Sequence, residues 1–390
     1  MDRIYLDYAA TTPVDQQVMD AMLPYFGLRF GNPSSAHFYG QDAEGATEKA
    51  RRTIGRLMNA EGYDIIFTSG GSESDNLALR GGALARRRST GAKQILISEV
   101  EHDAVEKSAL QLVNEYHFEY QKMRVANNGF VNLSNLEPLL NEKTAMVSII
   151  YGNNEIGTIN PIKEIAKICH EKGVLVHTDA VQAAAHLKID IKDLDVDYLS
   201  ISAHKFYGPK GVGVLIKKKE APLLPEISGG VQEGGYRAGT SNVPLIVGMA
   251  KALELTLMDL ENDNKRLEML RDKLINSVLD KISDVELTGD RKSRLSNHAS
   301  FVFEGLSGND LLIALDMAGF AVSSGSACKV GNPKPSEVLL ALGISPDLAM
   351  GSLRVTLGKN TNEEEIDKFL EILPVVVKSL RQEKRSKDGR

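Results

Sequence analysis

The chain has 390 residues, of which 42% are hydrophobic and 25% charged, with a formal net charge of −6. That length exceeds what one core usually covers, so two domains are expected, and the composition is that of a globular chain, not a disordered or fibrous one. The acidic balance gives no electrostatic reason to expect nucleic acid, only two cysteines are present to support a disulfide framework, and no run of about 18 apolar residues is available to span a membrane.

The chain opens Met1-Asp2-Arg3-Ile4-Tyr5-Leu6-Asp7, too polar and too short before its first strand-like run for a secretory signal. With so few cysteines this points to a cytoplasmic, reducing compartment. Short apolar runs at 65–67, 95–97, 145–150, 174–176 and 198–201 then alternate with amphipathic stretches such as 74–88. Strands alternating with helices predict an α/β fold with a largely parallel sheet covered on both faces. Cys169 sits among apolar residues at helical spacing and reads as a small buried hydrophobe. The basic runs 86–88 and 217–219 flank apolar segments and read as solvated element ends. A long helical pattern from Val243 leads into a charge-rich stretch able to join two domains. Beyond it, strands at 285–287, 298–303 and 352–357 spaced by helices predict a smaller α+β unit, and the charged tail 381–390 is expected to fray.

Several runs carry chemistry. The strand at 64–68 is followed at once by Ser69-Gly70-Gly71-Ser72 and a helix start, so free backbone N–H groups and the helix dipole favour an anion there. The Walker lysine is missing, so a nucleotide is not implied. Asp179 ends the strand that begins at Val174, where ligands of open α/β sheets sit. His204 and Lys205 follow the strand at 198–202. Phosphate cup, acid and lysine in this order fit an amine that forms a Schiff base with pyridoxal phosphate while the acid pins the ring nitrogen. Cys328 lies in Ser323-Ser324-Gly325-Ser326-Ala327-Cys328, a run of small residues followed by glycine and two prolines. Nothing there buries apolar area, so an exposed, mobile loop displaying a thiol is expected.

Together with Tyr5-Leu6-Asp7-Tyr8-Ala9-Ala10, Phe30-Gly31-Asn32-Pro33-Ser34-Ser35, Glu101-His102 and Asn153-Asn154-Glu155-Ile156-Gly157, these runs span nearly the whole chain. In this order they resemble the cysteine desulfurases of the NifS/IscS type, within the class V aminotransferase group of fold-type I pyridoxal phosphate enzymes. The resemblance implies a large cofactor-binding domain at 14–258 and a small domain made of 1–13 and 259–390 that carries the cysteine loop. It implies Lys205 as the Schiff-base lysine, Asp179 on the ring nitrogen, Gln182 on the ring hydroxyl and His102 stacked on the ring, moving protons. Gly71, Ser72, Ser202 and His204 would hold the phosphate, with Thr240 reaching it from the second subunit of a homodimer. Asn154 and Arg354 would bind the carboxylate of L-cysteine, Asn32 would assist or merely cap its turn, and Cys328 would take the sulfur and pass it to an acceptor such as an iron–sulfur scaffold or a tRNA thiolation protein.

The chain departs from the family at Gly234, where many relatives carry Arg, at Ala238, where Ser is usual, and at Lys329, where a small hydroxyl residue is common. An aminotransferase or selenocysteine lyase on the same scaffold is the competing expectation. A non-catalytic scaffold for sulfur acceptors is opposed by the intact Lys205, Asp179 and His102 set.

Overall fold

A computed structural model describes residues 3–324 and 334–388. Cys328, with the rest of 325–333, lies outside the described residues. In chain order the strands are β1 (Ile4–Tyr5), β2 (Tyr63–Thr68), β3 (Gln94–Ser98), β4 (Glu119–Met123), β5 (Thr144–Ser148), β6 (Leu175–Asp179), β7 (Tyr198–Ser202), β8 (Gly213–Lys218), β9 (Val285–Leu287), β10 (His298–Phe303), β11 (Phe320–Ala321) and β12 (Ser352–Thr356).

Strands β2 to β8 form one sheet in the order β2-β8-β7-β6-β5-β3-β4. It is parallel except at β8, which runs against both neighbours. Successive side chains of a strand point to opposite faces, and both faces are buried here. Ile65, Phe67, Leu96, Val176, Leu199 and Ile216 pack in one core, whereas Ile66, Ile95, Ile97, Leu175, Tyr198 and Leu215 pack in another. That is why these strands read as continuous apolar runs without alternation. A third core gathers Phe301, Phe303, Leu353, Val355, Phe369 and Leu373 around the antiparallel sheet β12-β10-β9. Residues 4–12 tie the two regions together. Leu6 N–H donates to Ala321 O, Tyr8 N–H to Thr356 O and Thr12 N–H to His204 O.

Two expectations are corrected. Lys217 ends a strand but is not solvated: its side chain is fully buried. Its Nζ donates to the carbonyls of Lys218, Lys219 and Ala221 and pairs with Asp64 at 3.0 Å. A turn whose carbonyls converge offsets the desolvation of an ammonium. The charged tail does not fray at 381, because the helix Glu363–Asp388 runs through it. Ile366, Phe369, Leu370, Leu373 and Val377 bury one face of that helix, and Arg381 donates to the carbonyls of Ser283 and Asp284.

The helix Ile162–Glu171 buries Cys169, as its spacing predicted. Burial pushes the thiol pKa up to about 12, and the thiolate is the reactive form. Iodoacetamide should therefore leave Cys169 unmodified in the folded protein and alkylate it after urea unfolding, read by peptide mass mapping. Native-state labelling at the rate of a free thiol would contradict this packing.

Candidate active site

The carboxyl ends of the strands that share one direction converge on a cavity of about 240 Å³ lined by Gly71, Ser72, Asp75, His102, Ile150, Asn154, Asp179, Val181, Gln182, Ser202, His204 and Lys205. Nine of the thirteen site residues expected from sequence are in that lining. The parallel topology explains why they meet: they come from the ends of β2, β3, β5, β6 and β7 or from the loops that follow, the position from which open α/β sheets bind ligands.

Lys205 is held by geometry. Its Nζ donates to the carbonyls of Ala9 (2.7 Å) and Ala10 (2.8 Å), so the N-terminal segment forms one wall. Two residues on, Tyr207 adopts a left-handed φ of 62°. That strain is held by Tyr207 N–H donating to Thr12 Oγ1 (2.8 Å) and the Tyr207 hydroxyl accepting from Lys359 N–H (2.7 Å). Burial first, then the charge of Arg354, lowers the Lys205 pKa to about 8. At pH 8 about half of these amines are neutral, against well under about 1% for an ordinary lysine.

Asp179 is buried; one of its carboxylate oxygens accepts from Val181 N–H at 2.9 Å, and burial raises its pKa while His102 and Lys205 pull the other way. Gln182 Nε2 donates to Ala9 O at 2.8 Å. His102 caps the helix Asp103–Tyr116: its Nδ1 accepts from Ala104 N–H at 3.1 Å, which leaves Nε2 to carry the proton of the neutral ring. His204 Nδ1 lies 3.1 Å from Thr11 Oγ1, and burial brings its pKa down to about 4.

Arg354, on β12, is buried. It donates to Asn154 O (2.9 Å) and to Asp7 Oδ1 (2.8 Å), while its buried Nε has no partner. His298 Nε2 donates to the same Asn154 carbonyl at 3.1 Å. The backbone of Asn154, a residue that lines the cavity, is thus pinned. Asn32 is exposed, and its side chain accepts from Ser34 N–H at 3.0 Å as a turn cap. Thr240 is exposed and does not line the cavity of its own chain. Asp75, Val181, Asp7 and His298 were not singled out from sequence. Asp7 stands in a quoted run, Asp75 in the amphipathic stretch 74–88 and Val181 two residues after Asp179, and His298 falls in a strand whose pattern marks only a buried β position.

The residues present fit pyridoxal phosphate. A half-buried amine and a buried carboxyl face the same cavity, as a ring with an aldehyde on one side and a basic nitrogen on the other requires. Gly71 opens a helix whose free N–H groups suit a phosphate, and a Cβ there would meet Val181 Cγ2 at 2.7 Å. The unpartnered guanidinium Nε suits a substrate carboxylate.

A family model described as Aminotransferase class-V matches residues 4–369. A protein of Dictyoglomus turgidum named cysteine desulfurase IscS is 45% identical over 378 residues, spanning 97% of this chain and 95% of that protein. One of the same name from Methanosarcina thermophila is 43% identical, spanning 97% and 93%. Among solved structures, a NifS-like protein has a TM-score of 0.89 at 35% identity, over 97% of this chain and 100% of its own. A structure described as SspA in complex with cysteine has a TM-score of 0.78 at 32% identity, over 90% and 98%.

The rate at which trinitrobenzenesulfonate labels Lys205 in cofactor-free protein should rise with pH through a midpoint near 8. Arg354→Gln, which removes a positive neighbour, should move that midpoint up. A wild-type midpoint near the ordinary 10.5 would contradict the described environment.

Proposed function

As the chain belongs to the class-V aminotransferases, with close relatives named cysteine desulfurase, we propose that it is a pyridoxal-phosphate-dependent cysteine desulfurase converting L-cysteine to L-alanine. The observation that carries this reading is the shared cavity: a lowered-pKa lysine, a buried acid and a helix start face it together, and Arg354 donates to the backbone of the lining residue Asn154.

Gly71, Ser72, Ser202 and His204 would hold the phosphate, Asp179 the ring nitrogen, Gln182 the ring hydroxyl and Lys205 the aldehyde carbon. Bound there, pyridoxal phosphate supplies a carbonyl for amines and a ring that withdraws electrons from the substrate's carbon–sulfur bond. Lys205, about half of it neutral near pH 8, would hold the aldehyde carbon without a strong external base to take its proton. Arg354, its two Nη atoms spent on Asn154 and Asp7, orients the substrate carboxylate through Nε. His102 presents Nε2 on the exposed side of the cavity, where a proton must be moved.

Cys328 is assigned as sulfur acceptor on its sequence run alone. The balance is complete: the carbon–sulfur bond of L-cysteine breaks, a sulfur–sulfur bond forms on Cys328, and the substrate carbon takes a proton to leave L-alanine. From there the sulfur passes to an acceptor protein, with an iron–sulfur scaffold or a tRNA thiolation protein as the expected classes.

A homodimer belongs to the same proposal, with Thr240 of a second copy completing the phosphate site. Its support is an unusual display of apolar side chains: Leu23, Phe26, Leu28, Phe30 and Phe38 are all exposed, Leu28 by 88%. A cytoplasmic location, and domains divided at 14–258 against 1–13 with 259–390, complete the reading. Among the described residues no helix is long and apolar enough to cross a membrane.

Incubation with L-cysteine should yield alanine, sulfide and a one-sulfur mass gain on Cys328, all absent in Lys205→Ala. Cys328→Ser should lower sulfide release by about 10²-fold or more. Undiminished sulfide release by Cys328→Ser would contradict its role and favour a lyase or transaminase.

A further inference from the structure

Asp75 lines the cavity from the short helix that opens at Gly71, yet none of the chemistry above uses it. It is almost fully buried, and its Oδ1 has no hydrogen-bond partner. One acid oxygen of Asp75, one of Asp179 and one ring nitrogen of His102 lie within 4.8 Å of one another. Two carboxyls this close, out of water, do not both ionise: the like charge and the lost solvation each favour one proton remaining on the pair.

The surroundings decide which carboxyl keeps that proton. Asp179 accepts from the Val181 N–H, and the neighbouring His102 and Lys205 pull its pKa down against the effect of burial. Asp75 faces two acids, Asp179 and Glu101, and a single helpful hydroxyl, that of Ser200. The remaining group near it, His177, brings no positive charge. His177 Nε2 is 3.5 Å from Asp75 Oδ1, but the ring is fully buried between Ser148 Oγ (2.8 Å) and Ser200 Oγ (3.0 Å). Its pKa is pushed down to about 3 by burial, so it stays neutral. Glu101 is itself a buried acid, with a pKa raised to about 8 by burial.

We propose that Asp75 is held as the neutral carboxylic acid and thereby keeps the single negative charge of the pair on Asp179. It is a positioning residue, acting on the cofactor through Asp179. The inference rests on the reading that pyridoxal phosphate occupies this cavity with its ring nitrogen on Asp179. An ionised Asp75 would set a second negative charge beside Asp179 and raise the proton affinity of any basic nitrogen in the cavity. A protonated one leaves a localised anion facing the ring.

The test has two arms. In cofactor-free protein at neutral pH, the infrared difference between wild type and Asp75→Asn should contain a protonated carboxyl stretch. Glu101→Gln identifies the separate band of the other buried acid. In protein loaded with pyridoxal phosphate, the pH midpoint of the visible cofactor band should change in proton affinity by no more than about twofold in Asp75→Asn and in Asp75→Ser. Asp179→Asn should change it by about tenfold or more. Absence of the Asp75 band, or a tenfold shift in both Asp75 variants, overturns the proposal. Failure of wild type to take up the cofactor overturns the pyridoxal phosphate reading instead, and the infrared arm still decides the charge of Asp75.

Discussion

The site depends on a lysine placed where water cannot fully stabilise its charge. Lys205 points its amine at two backbone carbonyls, Ala9 and Ala10, and, among the described residues, at no carboxylate within hydrogen-bonding distance. Carbonyls orient an ammonium while neutralising none of its charge, so burial wins and the amine's pKa falls to about 8. Had Asp179 formed a direct ion pair with it, the proton would have been held more tightly and the amine lost as a nucleophile. The separation of the two groups across the cavity is therefore the central constraint, and the N-terminal segment that supplies the carbonyls exists to keep it.

That segment explains the architecture around the site. Residues 4–12 pair with the β11 and β12 region at one end and with His204 at the other. Arg354 of β12 reaches across to Asn154 O and Asp7. The antiparallel sheet thus sets a guanidinium beside a cavity built from the parallel one, bonded to its lining residue Asn154. Its partners leave Nε free, so the arginine is oriented before any carboxylate arrives. The histidines follow the same logic of exclusion. His177 and His204 are kept neutral by burial, which removes competing cations from the neighbourhood of the acids and of Lys205.

Much of this was legible in the chain because two-sided burial turns strands into unbroken apolar runs, and parallel topology sends each strand end toward one edge. Asp179, His204 and Lys205 could therefore be placed by position alone. The strand β4 was missed because Glu119-Tyr120-Gln121-Lys122-Met123 is a sheet-edge strand with largely polar, partly exposed side chains. Lys217 misled because a cage of backbone carbonyls leaves no mark on side-chain composition. Asp75 stood beside the expected phosphate cup, but whether a carboxyl at that position faces water or a second buried acid is set by tertiary packing. Arg354 alternates along its strand as a solvent-facing residue would, and only the approach of Asp7 and Asn154 shows that it faces inward.

The most direct measurement is to load the purified protein with pyridoxal phosphate, reduce it with borohydride and map the modified peptide by mass spectrometry. A single cofactor adduct on Lys205 is expected. An adduct on another lysine, or none, would contradict the assignment of this cavity as the cofactor site.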